Sequence, residues 1–211
     1  MKHPNIVAYL GSEVTETFAY LYFEHMAAGS LENVTQNFGP LQESLLRLYL
    51  HDVVSALAYL HAWDPPVVIR DLRSRNIFTT HNGRAKIVDF ACAVRAKEEA
   101  SSGHAMKGSV QYMAREAFEG HISPAVDIWA CGCLAIELAT AGPPWKEGHS
   151  PMALYTLMKK GQRPDIPEGL SLACRDFIDQ CLRHERSERP RASELLRHDF
   201  LRGRGTTPTA P

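Results

Sequence analysis

Three side chains in this sequence could do chemistry together: Asp71 and Asn76 in VVIRDLRSRNIF, and Asp89 in KIVDFACAV. Both carboxylates stand at the ends of short apolar runs. The segment between them, NIFTT then Asn82-Gly83 then AKIVDF, reads as a hairpin. A hairpin returns its second strand to the start of its first, so it brings the two carboxylates near each other. Asn76 adds a neutral oxygen in the same small region. Hard oxygen donors in this number suit Mg²⁺, which takes few carboxylates and completes its shell with water and phosphate. Either aspartate alone reads as an ordinary turn residue.

The elements that position these groups follow from periodicity. NIVAYLGSEV and FAYLYFEHM are β-branched and aromatic runs around a polar turn at Thr15–Thr17, an antiparallel pair. Two strands alone are marginal in water and need further sheet or a helix to pack on. Beyond AAGS the period becomes helical. Leu46, Leu50, Val53, Val54, Leu57 and Leu60 share one face of a long helix that ends near Trp63, before Asp64-Pro65-Pro66. Ala91 to Glu116 is irregular and long for a loop, a length usually tied to function or disorder. Ser123–Thr140 is apolar nearly all round, which predicts a helix buried in a core. Helices are also expected at Met152–Lys160, Leu172–Arg183 and Ala192–Leu201, and disorder in the Gly/Pro/Thr-rich tail.

Bulk composition bounds the partners. The 211 residues are 45% hydrophobic and 22% charged, enough to bury a core without disulfides or metal. A net charge of −1 gives no basic field for nucleic acid or an acidic membrane surface. The five cysteines lack CxxC spacing, which argues against zinc and for a reducing, cytoplasmic setting. The ten histidines show no ligand spacing. No segment predicts a signal peptide or a membrane span, so no membrane insertion is expected.

In order along the chain, these segments resemble the signature set of eukaryotic-type protein kinases. IRDLRSRN is similar to the catalytic loop, DFA to the D-F-G motif and MARE to the A-P-E box. HPNIV, EHMAAGSL, DIWACGCLAIEL, GPPW and ERPRASELLRHDFL match further landmarks, so the resemblance covers roughly residues 2–201. KHPNIVAYLG, TAGPPW and ASELLRHDFL resemble the STE group, the MAP kinase kinase kinases, while RSRN also resembles tyrosine-kinase-like families. The resemblance implies an α+β, protein-kinase-like fold: a mostly helical C-lobe with a remnant of the N-lobe β-sheet. Residues 1–26 would be the N-lobe remnant and hinge, 27–203 the C-lobe, and 204–211 the tail.

The resemblance also implies roles, with ATP and Mg²⁺ as cofactors and a protein substrate or partner kinase as partner. Asp71 would be the catalytic base, with Arg73 in the place of the catalytic-loop lysine. Asn76 and Asp89 would hold Mg²⁺. Glu24 and Met26 would meet adenine, with Phe23 as gatekeeper, Ser30 near the ribose and Phe78 on the pocket floor. Arg70 would meet a phosphate on the activation segment, with Ser101, Ser102 and Ser109 as regulatory candidates. Glu116 and Arg189 match a buried ion pair, and Asp127 a helix residue that bonds the catalytic-loop backbone.

Departures shape the functional expectation. The catalytic-loop histidine is Ile69, the D-F-G glycine is Ala91, and the A-P-E proline is Arg115. The family's Gly-rich loop, phosphate lysine and helix glutamate lie upstream of HPN, where this sequence has Met1 and Lys2. The expectation is a protein Ser/Thr kinase by family whose 211 residues alone transfer little phosphate. The alternatives are a pseudokinase C-lobe acting as a scaffold, and a small metal- or nucleotide-binding sensor using Asp89 and Asn76. Exposed N-terminal strands would favour self-association.

Overall fold

The computed structural model describes residues 2–96, 107–146 and 150–203. It opens with an antiparallel hairpin, β1 (Tyr9–Val14) and β2 (Ala19–Phe23), that pairs Tyr9 with Phe23 and Val14 with Ala19. The turn closes on Thr15, whose N–H donates to the Phe18 carbonyl at 2.8 Å while its hydroxyl accepts from the Phe18 N–H at 3.0 Å. The register slips between Tyr9 and Gly11, a bulge at Leu10. Both faces of the hairpin are exposed, and Val14 and Leu21 are 79% and 63% accessible.

Next comes α1 (Leu31–Phe38), a short helix that hydrophobic periodicity did not single out. Its signal is a cap. The Ser30 hydroxyl accepts the Asn33 N–H, and the Asn33 side-chain oxygen accepts the Ser30 N–H, each at 3.2 Å. Then α2 (Glu43–His61) buries all six residues of the expected apolar face. The two-residue strand β3 (Val67–Val68) leads into the loop bearing Asp71, and the hairpin β4 (Ile77–Thr79) and β5 (Ala85–Ile87) follows. It turns at Asn82-Gly83, with Gly83 in the left-handed region (φ 70°) that favours glycine.

On the other edge of β5 the chain start adds a partner. Val7 donates to the Ile87 carbonyl at 2.9 Å, and Ile87 donates to the Asn5 carbonyl at 3.0 Å. The Asn5 side chain donates to the Ala85 carbonyl at 2.9 Å. The strand that leads to Asp89 is therefore held on both edges. β6 (Val94–Arg95) pairs antiparallel with β3.

The remaining body is helical. α3 (Arg115–Phe118) is one turn, and α4 (Pro124–Thr140) is buried nearly all round, as its composition predicts. α5 (Pro151–Lys159) and α6 (Leu172–Cys181) follow. A Cβ on Gly132 of α4 would stand 2.8 Å from the Cys181 Cβ, so α4 and α6 meet at a glycine. The expected helix Ala192–Leu201 is instead two single turns, α7 (Ala192–Leu195) and α8 (Asp199–Arg202). His198 makes the break. Its backbone is extended, its Nδ1 accepts from Phe200 N–H at 3.2 Å, and its Nε2 bonds Asp176 on α6 at 2.9 Å. Capping and a tertiary tether override the helical period there.

Candidate functional site

The loop after β3 is anchored from α4. Buried Asp127 accepts the Ile69 N–H at 2.8 Å and the Arg70 N–H at 2.9 Å, with His61 Nε2 at 3.0 Å from the same carboxylate. Arg70 sits at φ 68°, a left-handed conformation that costs a non-glycine residue about 1 kcal/mol or more. The two bonds to Asp127 offset that cost. The Arg70 guanidinium donates through Nε to the Cys92 carbonyl at 2.6 Å, which ties this loop to the segment after Asp89.

Asp71 follows with both oxygens engaged. Asn76 Nδ2 donates to Oδ2 at 2.9 Å and to the Asp71 carbonyl at 3.0 Å, while Ser109 N–H donates to Oδ1 at 2.8 Å. Arg73 reaches the Ser109 hydroxyl at 2.8 Å and Glu32 at 3.4 Å, and lies over the Tyr112 ring at 5.9 Å. Gly108 permits this approach, because a Cβ there would fall 2.3 Å from the Arg70 carbonyl oxygen.

Asp89 enters from the end of β5. Val88 N–H donates to the Asn76 carbonyl at 3.0 Å, which sets the Asp89 segment beside the Asp71 loop. Asp89 Oδ1 accepts the Ala91 N–H at 2.8 Å. Burial, then the negative charges of Asp71 and Asp89, push the Cys92 thiol pKa up. Asn76 spends its amide nitrogen on Asp71, and no donor among the described residues takes its side-chain oxygen. One carboxylate and one free amide oxygen on facing loops fit Mg²⁺ shared with phosphates. Among the described residues no three His, Cys, Asp or Glu side chains cluster as a closed metal cage.

The expected adenine-binding residues lie where β2 joins the helical body. Glu24 N–H donates to the Ala8 carbonyl, and its carboxylate accepts the Ala8 N–H at 2.7 Å and Lys86 Nζ at 2.5 Å. The Lys86 bond, foremost, holds the Glu24 carboxyl below its ordinary pKa. Phe23 packs edge-on against Tyr9, with ring centroids 5.9 Å apart. Among the described residues the backbone groups of Met26 have no protein partner. Phe78, half-buried in β4, bridges antiparallel to Ser30. The Ser30 hydroxyl is committed to capping α1.

Farther out, Glu116 and Arg189 form a bidentate pair at 2.5 and 3.1 Å. Arg189 also donates to the carbonyls of Ala125, Arg183 and His184 and lies 5.0 Å over the Trp129 ring. Ser101 and Ser102 lie outside the described residues. Sequence reasoning missed Asp52. Fully buried on α2, it pairs with Arg84 through both oxygens and accepts the Ala85 N–H at 2.9 Å, fixing the start of β5. An aspartate among the apolar positions of α2 is the signal that could have found it.

Comparison with known proteins agrees with this geometry. The family described as protein kinase domain matches residues 1–201. The mitogen-activated protein kinase kinase kinase YODA of Arabidopsis thaliana is 37% identical over 204 residues, 96% of this chain and 23% of that protein. Mitogen-activated protein kinase kinase kinase 3 of Arabidopsis thaliana is 36% identical over 202 residues, 95% of this chain and 33% of its own length. Mitogen-activated protein kinase kinase kinase A of Dictyostelium discoideum is 32% identical over 204 residues, 95% of this chain and 21% of its own. The chain thus spans about a fifth to a third of the length of these relatives.

Proposed function

The chain belongs to the protein kinase domain family, and we propose that it serves ATP-dependent phosphoryl transfer to serine or threonine of a protein substrate. The observation that carries this reading is the Asp71 carboxylate, fixed between Asn76 and Ser109 with Arg73 beside it. Asp71 would orient the acceptor hydroxyl and take its proton. Arg73 would place positive charge next to that carboxylate. Asn76 and Asp89 would hold Mg²⁺, which when bound neutralises charge on the ATP phosphates. Glu24 and Met26 would offer backbone groups to adenine, between Phe23 and Phe78, with Ser30 near the ribose.

Arg70 would receive a phosphate from the segment carrying Ser101 and Ser102. Ser109 is the weaker regulatory candidate, because its hydroxyl serves Arg73. In this reading residues 1–26 end a smaller lobe, 27–203 form the larger lobe and 204–211 a tail. The relatives are named for acting upstream of a MAP kinase kinase, so the substrate proposed is another protein kinase in the cytoplasm. No described helix is long and apolar enough to cross a membrane.

A second reading, a protein-binding scaffold, draws on Ile69 and Arg115. Ile69 is buried and apolar where the family has a hydrogen-bonding histidine. Arg115, where the family has proline, is engaged with Glu119 and Glu185. The deciding assay is transfer from Mg-ATP to a generic protein substrate by the endogenous protein and by its Asp71→Asn variant. Transfer lost with Asp71→Asn supports the kinase reading. Transfer indifferent to Asp71→Asn refutes the assigned base, and none from either form favours the scaffold.

A further inference from the structure

Between Ile128 and Thr140, α4 carries a single charged residue, Glu137, in an otherwise apolar run. It is 9% exposed. A carboxylate is costly to bury unless it is well bonded, and Glu137 is bonded to one residue twice. Its Oε1 accepts the Ser74 hydroxyl at 2.6 Å, and its Oε2 accepts the Ser74 N–H at 3.1 Å. Burial raises its pKa, the Ser74 bonds and the neighbouring Tyr112 phenol and Arg73 lower it, and burial prevails.

Ser74 is itself fully buried and stands between Arg73 and Asn76. Asn76 holds Asp71, and Arg73 holds the Ser109 hydroxyl. Tyr112, beside Glu137, carries Arg73 over its ring. Helix α4 therefore grips the loop 69–76 at two points: Asp127 near its start takes Ile69 and Arg70, and Glu137 near its end takes Ser74. Ten residues of helix separate the two carboxylates, about 15 Å along the axis. Asp71 hangs between the two grips.

We infer that Glu137 and Ser74 are positioning residues, which fix Arg73 and Asn76 and through them the Asp71–Ser109 contact. The consequence for transfer rests on the kinase reading, whereas the geometry does not. The test therefore reads the Ser109 backbone amide in the ¹⁵N-labelled chain, without nucleotide or substrate. In Ser74→Ala and Glu137→Gln, the Ser109 amide should move upfield and exchange with solvent about tenfold faster. Ser74→Thr, which keeps both donors, should restore the native signal. The Ile69 and Arg70 amides, held by Asp127, should stay in place in all three. A Ser109 amide unmoved in Ser74→Ala overturns the inference, as does equal loosening of Ile69, which marks a purely structural defect. Should Glu137→Gln fail to fold, the Ser74→Ala and Ser74→Thr pair still decides. Loss of phosphoryl transfer from the protein leaves this readout intact, so the two readings fail separately.

Discussion

Ser109 binds Asp71 through its backbone and Arg73 through its hydroxyl. One residue, 38 positions on from Asp71, thus completes the surroundings of the proposed base.

Among the described residues Arg73 already carries one buried nitrogen, Nε, without a partner. Ser109→Ala removes a second contact from the same guanidinium. The expected loss is about 1–3 kcal/mol, the range for hydrogen bonds to charged groups. Ser109→Thr keeps the hydroxyl and should retain most of that stability. Urea denaturation of both variants checks this, and an alanine variant as stable as the parent would show that the Arg73 contact contributes nothing.

The Glu116–Arg189 pair makes a sharper forecast. Arg189 is buried and bonded to three carbonyls besides Glu116. Glu116→Ala leaves an unpaired buried guanidinium, at an expected cost of about 3–5 kcal/mol. Replacing both residues, Glu116→Leu with Arg189→Met, removes both charges and should cost less than the two single changes added together. Additive losses in a double-mutant cycle would mean that the two side chains are not coupled.

Much of this was legible in the residues, for identifiable reasons. Helix α2 announced itself through periodicity, α4 through an apolar run with no polar face, and the β4–β5 hairpin through Asn82-Gly83. Asp71, Asn76 and Asp89 were legible as a group because hairpin geometry closes their distance. What escaped was tertiary. The start of α1 is written in the Ser30–Asn33 cap and not in a hydrophobic period. His198 splits an expected helix by reaching back to α6. Asp52 and Glu137 find partners 32 and 63 residues away in sequence, a relationship that local pattern does not encode.

At Gly132 two effects oppose each other. Alanine in place of glycine within a helix ordinarily gains about 1 kcal/mol. Here the new Cβ would press on Cys181 Cβ and on Leu182 atoms at 2.9 Å, in a packed interior. Overpacking of that kind costs roughly 1–3 kcal/mol, so Gly132→Ala should destabilise despite its better helix propensity. A higher thermal midpoint for Gly132→Ala would show that α6 yields without penalty.

The β1–β2 hairpin presents Val14 and Leu21 on one face, where Ser12 opposes Leu21 and Val14 opposes Ala19. An exposed apolar sheet face with open edges invites pairing with another chain. The 211-residue polypeptide should associate with rising concentration, and Val14→Lys with Leu21→Lys should suppress it. Sedimentation velocity decides between this and a monomer that persists at every concentration, which would dismiss the expectation.

Acid should loosen the junction between β2 and the helical body in a defined window. The Lys86 hydrogen bond, foremost, lowers the Glu24 carboxyl pKa in the folded chain. A carboxylate with a depressed folded pKa contributes stability that is fully present above its unfolded value, about 4.3. That contribution fades as pH falls through the lower, folded value. Lys86→Met removes the chief cause of the shift, so the parent should be the more stable form at neutral pH. The difference between their thermal midpoints should shrink once pH drops below about 4.3. A gap that stays constant down to pH 3, or widens, would mean that Lys86 acts through packing of its stem and not through the Glu24 charge.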